Sequence, residues 1–220
     1  MHRFRRALVR ADGALWSAYR EPMSEAPSSQ TRVLLVRHAE AAYETGGNGD
    51  GGGSLTPNGR DQVHHLGERL QALGASLILS SETSRAVQTA EIAACVLGIP
   101  VQVRVGLQEY DIGQQRGRPY NAPLFESLLT DWRDGKLSVR IPGGEDGDTV
   151  SRRVLGVLHD AAAKHPGRTI AVVSHGGAIN AVIGRLSPHG VSLMDGALEL
   201  PHCGLLVLHH RAGQWHASTA

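Results

Sequence analysis

The chain has 220 residues, 41% of them hydrophobic, with 22 Lys+Arg against 21 Asp+Glu and a formal net charge of +1. That length suits one α/β domain with a sizeable core and is short for two domains plus a linker. The near-neutral balance excludes a global electrostatic footprint for nucleic acid or an anionic membrane, so any anion site must be local.

The amino end, MHRFRRALVRADGALWSAYREPMSEAPSSQ, is basic, but Arg10 and Asp12 interrupt any secretory apolar region. Residues 1–30 show no clean helical or strand period and are expected to form a poorly ordered extension, with Met23 as a candidate natural start. Cys95 and Cys203 make neither a disulfide framework nor a metal spacing, and both are expected to pack as small apolar residues. No apolar run reaches membrane-spanning length. A cytoplasmic location is the expectation.

Val33–Val36 reads as a buried strand that stops abruptly on Arg37, His38 and, after Ala39, Glu40. A Gly-rich stretch follows, and Thr56-Pro57 then marks a helix start carrying Val63, Leu66, Leu70 and Leu73 before Gly74. Ser76–Ser80 is a second short strand, and a helix is predicted from Ser84 to Leu97, stopped by Gly98. Val101–Val105 alternates as a half-buried strand, and a helix is expected near Pro123–Trp132. The helix after Gly147 should be capped by Asp148 or Thr149. Ile170–Val173 repeats the opening pattern, ending in Ser174-His175-Gly176-Gly177 and running into an apolar helix. The tail CGLLVLHHRAGQWHA suits one final strand at the sheet edge, through which a homodimer could form. Strands alternating with helices predict a three-layer α/β/α sandwich with a mostly parallel central sheet.

Ligands of open α/β sheets bind outside the carboxyl ends of the strands. Arg37, His38, His175 and, at the start of a helix, Arg85 all fall there. Two guanidiniums match the oxygens of a tetrahedral oxyanion, and amides at a helix amino end favour the same charge. The implied ligand is phosphate. A neutral histidine can attack phosphorus, and a second imidazole can donate to oxygens whose charge shifts. Glu109, in LQEYDIGQQRG, is the candidate general acid, provided that it keeps a proton beside a dianion. The remaining histidines lack a three-ligand pattern with carboxylates, so no metal is expected. Tyr43, Tyr110 and Trp132 are better assigned to core or rim packing than to a pocket.

The segments LLVRHAE, LTPNGRDQVHHLGERL, SSETSRAVQTA, LQEYDIGQQRG, PGGEDGDTVSRRV and VVSHGGAIN resemble the ordered motifs of the histidine phosphatase superfamily, in its phosphoglycerate-mutase-like branch. The resemblance implies a catalytic domain over residues 31–220 that works through phosphohistidine with neither metal nor cofactor. His38 would be the nucleophile, Arg37, Arg85 and His175 would hold the phosphoryl oxygens, and Glu109 would serve the leaving group and then water. Glu145 and Arg153 match family positions and are expected to support loop geometry. Two departures stand out: Ala39 replaces the usual glycine after the nucleophile, and Glu44 replaces a common asparagine. Mutases carry a long insert after the acid/base segment, whereas here only a short span separates Glu109 from Pro142. The expected activity is therefore hydrolysis of a small phosphorylated metabolite, with a phosphoglycerate mutase or a protein phosphohistidine phosphatase as the rivals. A non-catalytic phosphate-binding module is a weaker rival.

Overall fold

The computed structural model describes residues 30–42, 53–186 and 200–218. The amino-terminal extension up to residue 29, Tyr43, Glu44 and most of the Gly-rich stretch lie outside the described residues. The elements run β1 (Thr31–Arg37), β2 (Ala41–Ala42), β3 (Ser54–Leu55), α1 (Pro57–Ala72), β4 (Ala75–Ser80), α2 (Ser84–Leu97) and β5 (Val101–Val103). A single 3₁₀ turn (Gly113–Gln115) precedes α3 (Ala122–Arg133), α4 (Gly147–Lys164), β6 (Thr169–Ser174), α5 (Gly176–Leu186), β7 (Leu205–Arg211) and β8 (Gln214–Ser218).

Six strands form one sheet in the order β5-β4-β6-β1-β7-β8, while β2 and β3 make a separate antiparallel pair. The first four strands of that order are mutually parallel; β7 runs antiparallel to β1, and β8 antiparallel to β7. Successive residues of each strand face opposite sides. Val33, Leu35, Leu77, Leu79, Ile170 and Val172 enter one core with α3, α4 and α5. Leu34, Val36, Ile78, Ala171 and Val173 enter the other with α1 and α2. The expected sandwich is thus present, with both sheet faces covered, as a parallel sheet requires.

The helix signals act as their chemistry dictates. The Thr56 hydroxyl accepts from the Gly59 amide, Pro57 opens α1, and Gly98 ends α2 in the left-handed region at φ 66°. Four expectations need correction. The α4 cap is Asp146, whose carboxylate accepts from the Thr149 amide, rather than Asp148 or Thr149. Strand β5 ends at Val103, because the chain leaves the edge there and Val105 is 73% exposed. The tail forms two strands, so β7 is internal and β8 holds the edge. Cys95 is exposed on α2, whereas Cys203 is buried. Tyr110 and Trp132 pack edge to face at 4.9 Å, with Trp132 fully buried in the core.

Candidate active site

Strand register brings the chemistry together. Arg37 pairs with Ser174 across β1 and β6, and Ser80 pairs with Val173 across β4 and β6. Two further bonds extend these ladders past the strand ends, His38 N–H to the Ser174 carbonyl and Ser81 N–H to the Val173 carbonyl, both at 3.0 Å. His38, His175 and Ser81 therefore leave three neighbouring strands at one level. Arg85 reaches the same place from the first turn of α2 and is 3% exposed.

One guanidinium joins the two imidazoles. Arg85 Nε donates to His38 Nε2 at 3.1 Å, and its Nη2 lies 3.1 Å from His175 Nδ1. A guanidinium only donates, so both facing ring nitrogens must carry lone pairs. The tautomers follow from that. His38 keeps its proton on Nδ1, which donates to the Ala39 carbonyl at 2.8 Å. His175 keeps its proton on Nε2, which meets the Ser81 hydroxyl at 3.0 Å and the Thr83 hydroxyl at 3.3 Å. The carbonyl that orients His38 survives the replacement of glycine by Ala39.

The two rings lie 5.1 Å apart, edge to face. Burial first, and then the Arg85 and Arg37 cations, lower the His38 pKa to about 3, against the opposing pull of the Ala39 carbonyl. Burial, with Arg85 next, likewise holds His175 well below the ordinary imidazole range. Both rings are neutral at pH 7. The His38 Nε2 lone pair is thus fixed and engaged by Arg85, and it can attack a tetrahedral oxyanion's central atom once the anion's oxygens take over that guanidinium.

Arg37 is held by its surroundings: Nη1 donates to the Leu200 carbonyl at 2.7 Å. Its backbone bonds the same turn twice, through Cys203 N–H to the Arg37 carbonyl and Arg37 N–H to the Gly204 carbonyl. Glu109 sits at the amino end of α5. Its Oε1 accepts from the Tyr110 and Ala178 amides at 3.1 and 2.8 Å, and its Oε2 from the Gly177 amide at 3.0 Å. Gly177 is needed for that approach, because a Cβ there would lie 2.2 Å from the Tyr110 ring and 2.8 Å from Glu109 Oε1. The carboxylate is thereby fixed to the amides two and three residues after His175.

Arg153 holds the loop that carries Glu109. Its guanidinium donates to the Gly106, Gln108 and Glu109 carbonyls and to both Glu145 oxygens. Glu145 in turn accepts from the Asp111 amide at 3.0 Å. The supporting geometry expected of this pair is present.

Sequence reasoning missed two residues of the site. The buried Thr89 hydroxyl donates to the Arg85 carbonyl at 2.7 Å and accepts from the Ala39 amide at 3.1 Å, joining α2 to the segment after β1. Its position one turn beyond Arg85 was the available signal. The His202 ring lies 5.7 Å from the His38 ring. No spacing in the tail pointed to it. Glu40, by contrast, is structural: its carboxylate accepts from the Thr56 hydroxyl at 2.6 Å and the Asn58 amide at 2.8 Å, pinning the start of α1 to the end of β1.

Comparisons with known proteins bear on the family and the fold. A probable phosphoglycerate mutase, GpmB, of Salmonella paratyphi C is 31% identical over 194 residues, covering 85% of this chain and 88% of that protein. Among solved structures, a mycobacterial glucosyl-3-phosphoglycerate phosphatase superposes with a TM-score of 0.67 at 22% identity, covering 86% of this chain and 98% of the other. A phosphoserine phosphatase of Entamoeba histolytica gives 0.67 at 21% identity, over 86% and 95% of the two chains; these two likenesses speak for the fold. Residues 33–220 match the family described as the histidine phosphatase superfamily, branch 1. With six ordered motifs, a matching fold and two neutral imidazoles joined by one arginine, the chain belongs to the histidine phosphatase superfamily.

Proposed function

We propose that the protein hydrolyses small phosphate monoesters through a covalent phosphohistidine on His38, without metal or cofactor. The observation that carries this reading is the Arg85 fork, which fixes both tautomers and holds the nucleophilic lone pair of His38 until an anion's oxygens draw the guanidinium onto themselves. Arg37 and Arg85 bind the phosphoryl oxygens, and His175 joins them by taking a proton on Nδ1 as the dianion draws the Arg85 N–H away from it. His38 Nε2 bonds to phosphorus as the ester P–O bond breaks, and Glu109 supplies the proton that the leaving oxygen needs. Glu109 then takes a proton from water as the water oxygen bonds to phosphorus and the P–Nε2 bond to His38 breaks, releasing inorganic phosphate. Backbone amide donors stabilise a carboxylate, so the base half of this cycle fits the free geometry. The acid half depends on the bound dianion, which disfavours a second negative charge beside it.

Hydrolysis rather than mutase activity is favoured by the segment after Glu109. The span from Glu109 to Pro142 is short, and its helix, α3, spends Phe125, Leu128, Leu129 and Trp132 on the core. A mutase must exclude water to keep a phosphoenzyme alive between substrates. The test is a panel of phosphorylated metabolites and an aryl phosphate, assayed with and without chelator. Release of inorganic phosphate that is indifferent to chelator supports the reading. Isomerised phosphoglycerate formed only with a bisphosphoglycerate primer would replace it with a mutase.

A further inference from the structure

We propose that His202 is a fifth side chain of the anion site, a substrate-contacting imidazole on its outer side that gains a proton as a dianion binds and meets a phosphoryl oxygen as a cation. This rests on the phosphate-ester reading above and goes beyond its four phosphate-binding and nucleophilic residues.

The placement is built into the fold. The turn from Leu200 to Gly204 wraps Arg37, bonding both its guanidinium and its backbone. His202 is therefore fixed relative to Arg37 and His38. The turn needs a non-glycine residue, Cys203, at φ 57°, a conformation that persists only where surrounding contacts over-determine it. Cys203 itself supplies no chemistry there, since burial pushes its thiol up to about 12. His202 is the residue on this turn with a group to offer.

Exposure places it on the outer side. His38, Arg85 and His175 are each at most 4% exposed, whereas His202 is only half-buried. A phosphoryl group seated among the three buried residues leaves its outer oxygens toward the more exposed His202 ring, 5.7 Å from that of His38.

The charged and titratable groups facing His202 are Arg37, His38 and Glu40. Burial and Arg37 favour its neutral form, and Glu40 opposes them. The Glu40 carboxylate is already engaged by Thr56 and Asn58, so it does not claim the ring as an ion-pair partner. A dianion entering beside Arg37 reverses that balance. Its two negative charges offset the Arg37 and Arg85 guanidiniums, so Glu40 then favours the cationic ring and the half-buried His202 can take a proton from solvent.

Sulfate is a dianion throughout the useful pH range and provides the test. Calorimetric titration in buffers of different ionisation enthalpy counts the protons taken up as sulfate binds. For the wild-type protein near pH 7 uptake is expected, falling by at least half in both H202Q and H202N. Sulfate affinity of the variants should drop about tenfold at acidic pH, the factor for one unit of coupled pKa, and approach wild type at alkaline pH. Equal uptake and an unchanged affinity profile in folded H202Q or H202N would overturn the inference. If the wild type binds sulfate with this uptake yet hydrolyses no monoester, the proposed activity fails and the anion-site role of His202 stands. If the wild type binds no sulfate at all, both fall.

Discussion

Arg85 Nε donates to His38 Nε2 at 3.1 Å, while the same guanidinium meets His175 Nδ1 at the same distance. One planar fork thus sets the tautomer of both rings. Lysine cannot reproduce this, because its ammonium is a point donor on a flexible stem. R85K and R85A should both lose on the order of 3 kcal/mol of barrier stabilisation, about 10²-fold in kcat/KM, the scale of losing one oxyanion donor. Steady-state assay with an aryl phosphate checks this; an R85K enzyme within about threefold of wild type would contradict the fork.

Acid should destabilise the protein through the same rings. His38 has its folded pKa lowered to about 3 from the ordinary 6.5, so between those values the unfolded chain binds a proton that the folded chain refuses. The folded state is unpenalised above pH 6.5 and loses up to about 1.4 kcal/mol per pH unit from this ring as pH falls toward 3. H38Q removes that contribution and leaves the similar one from His175. Thermal unfolding of wild type and H38Q across this range should show the variant gaining relative stability as pH falls. Parallel curves would contradict the burial argument.

Gly177 lets Glu109 and Tyr110 close on the amino end of α5. In G177A the new Cβ would meet the Tyr110 ring at 2.2 Å and Glu109 Oε1 at 2.8 Å, so both must shift. A displacement of this size should lower kcat about 10²-fold and cost roughly 1–3 kcal/mol of stability. Sulfate affinity should stay near wild type, because the residues proposed to bind the anion do not move. Loss of sulfate binding with kcat retained would reverse the roles assigned to the two halves of the site.

Thr89 ties the nucleophile segment to α2 through one hydroxyl. T89V keeps the shape and strands the buried Ala39 amide, at a cost of about 1–3 kcal/mol in stability. T89S should recover most of it. Denaturant melts of the two variants decide; equal stability for T89V and wild type would remove the bridge from the account.

Much of this was legible in the amino-acid order. Strands that end in Arg37-His38 and His175 announce a site at one sheet edge, because a parallel sheet aligns its carboxyl ends and the apolar runs identify the strands. The start of α1 was legible from Thr56-Pro57, and Glu40 adds a second bond to that cap. The rest was hidden for physical reasons. An apolar pattern does not encode strand direction, so the antiparallel placement of β7 beside β1 was not visible. With it went the turn that carries His202 to His38, 164 positions away by chain number. The α4 cap was ambiguous because Asp146, Asp148 and Thr149 all have the right chemistry within four residues. Alternation carried Val101–Val105 two residues too far, since an exposed valine reads the same as a buried one.

Trapping the phosphoenzyme tests the covalent step most directly. Rapid acid-free quenching during turnover of an aryl phosphate, followed by peptide mass analysis, should find the phosphoryl group on the peptide bearing His38, stable to base and lost in acid. H38A should show no adduct and a rate lower by on the order of 10⁴-fold or more. A phosphoryl group on another residue, or full turnover by H38A, would contradict nucleophilic attack by His38.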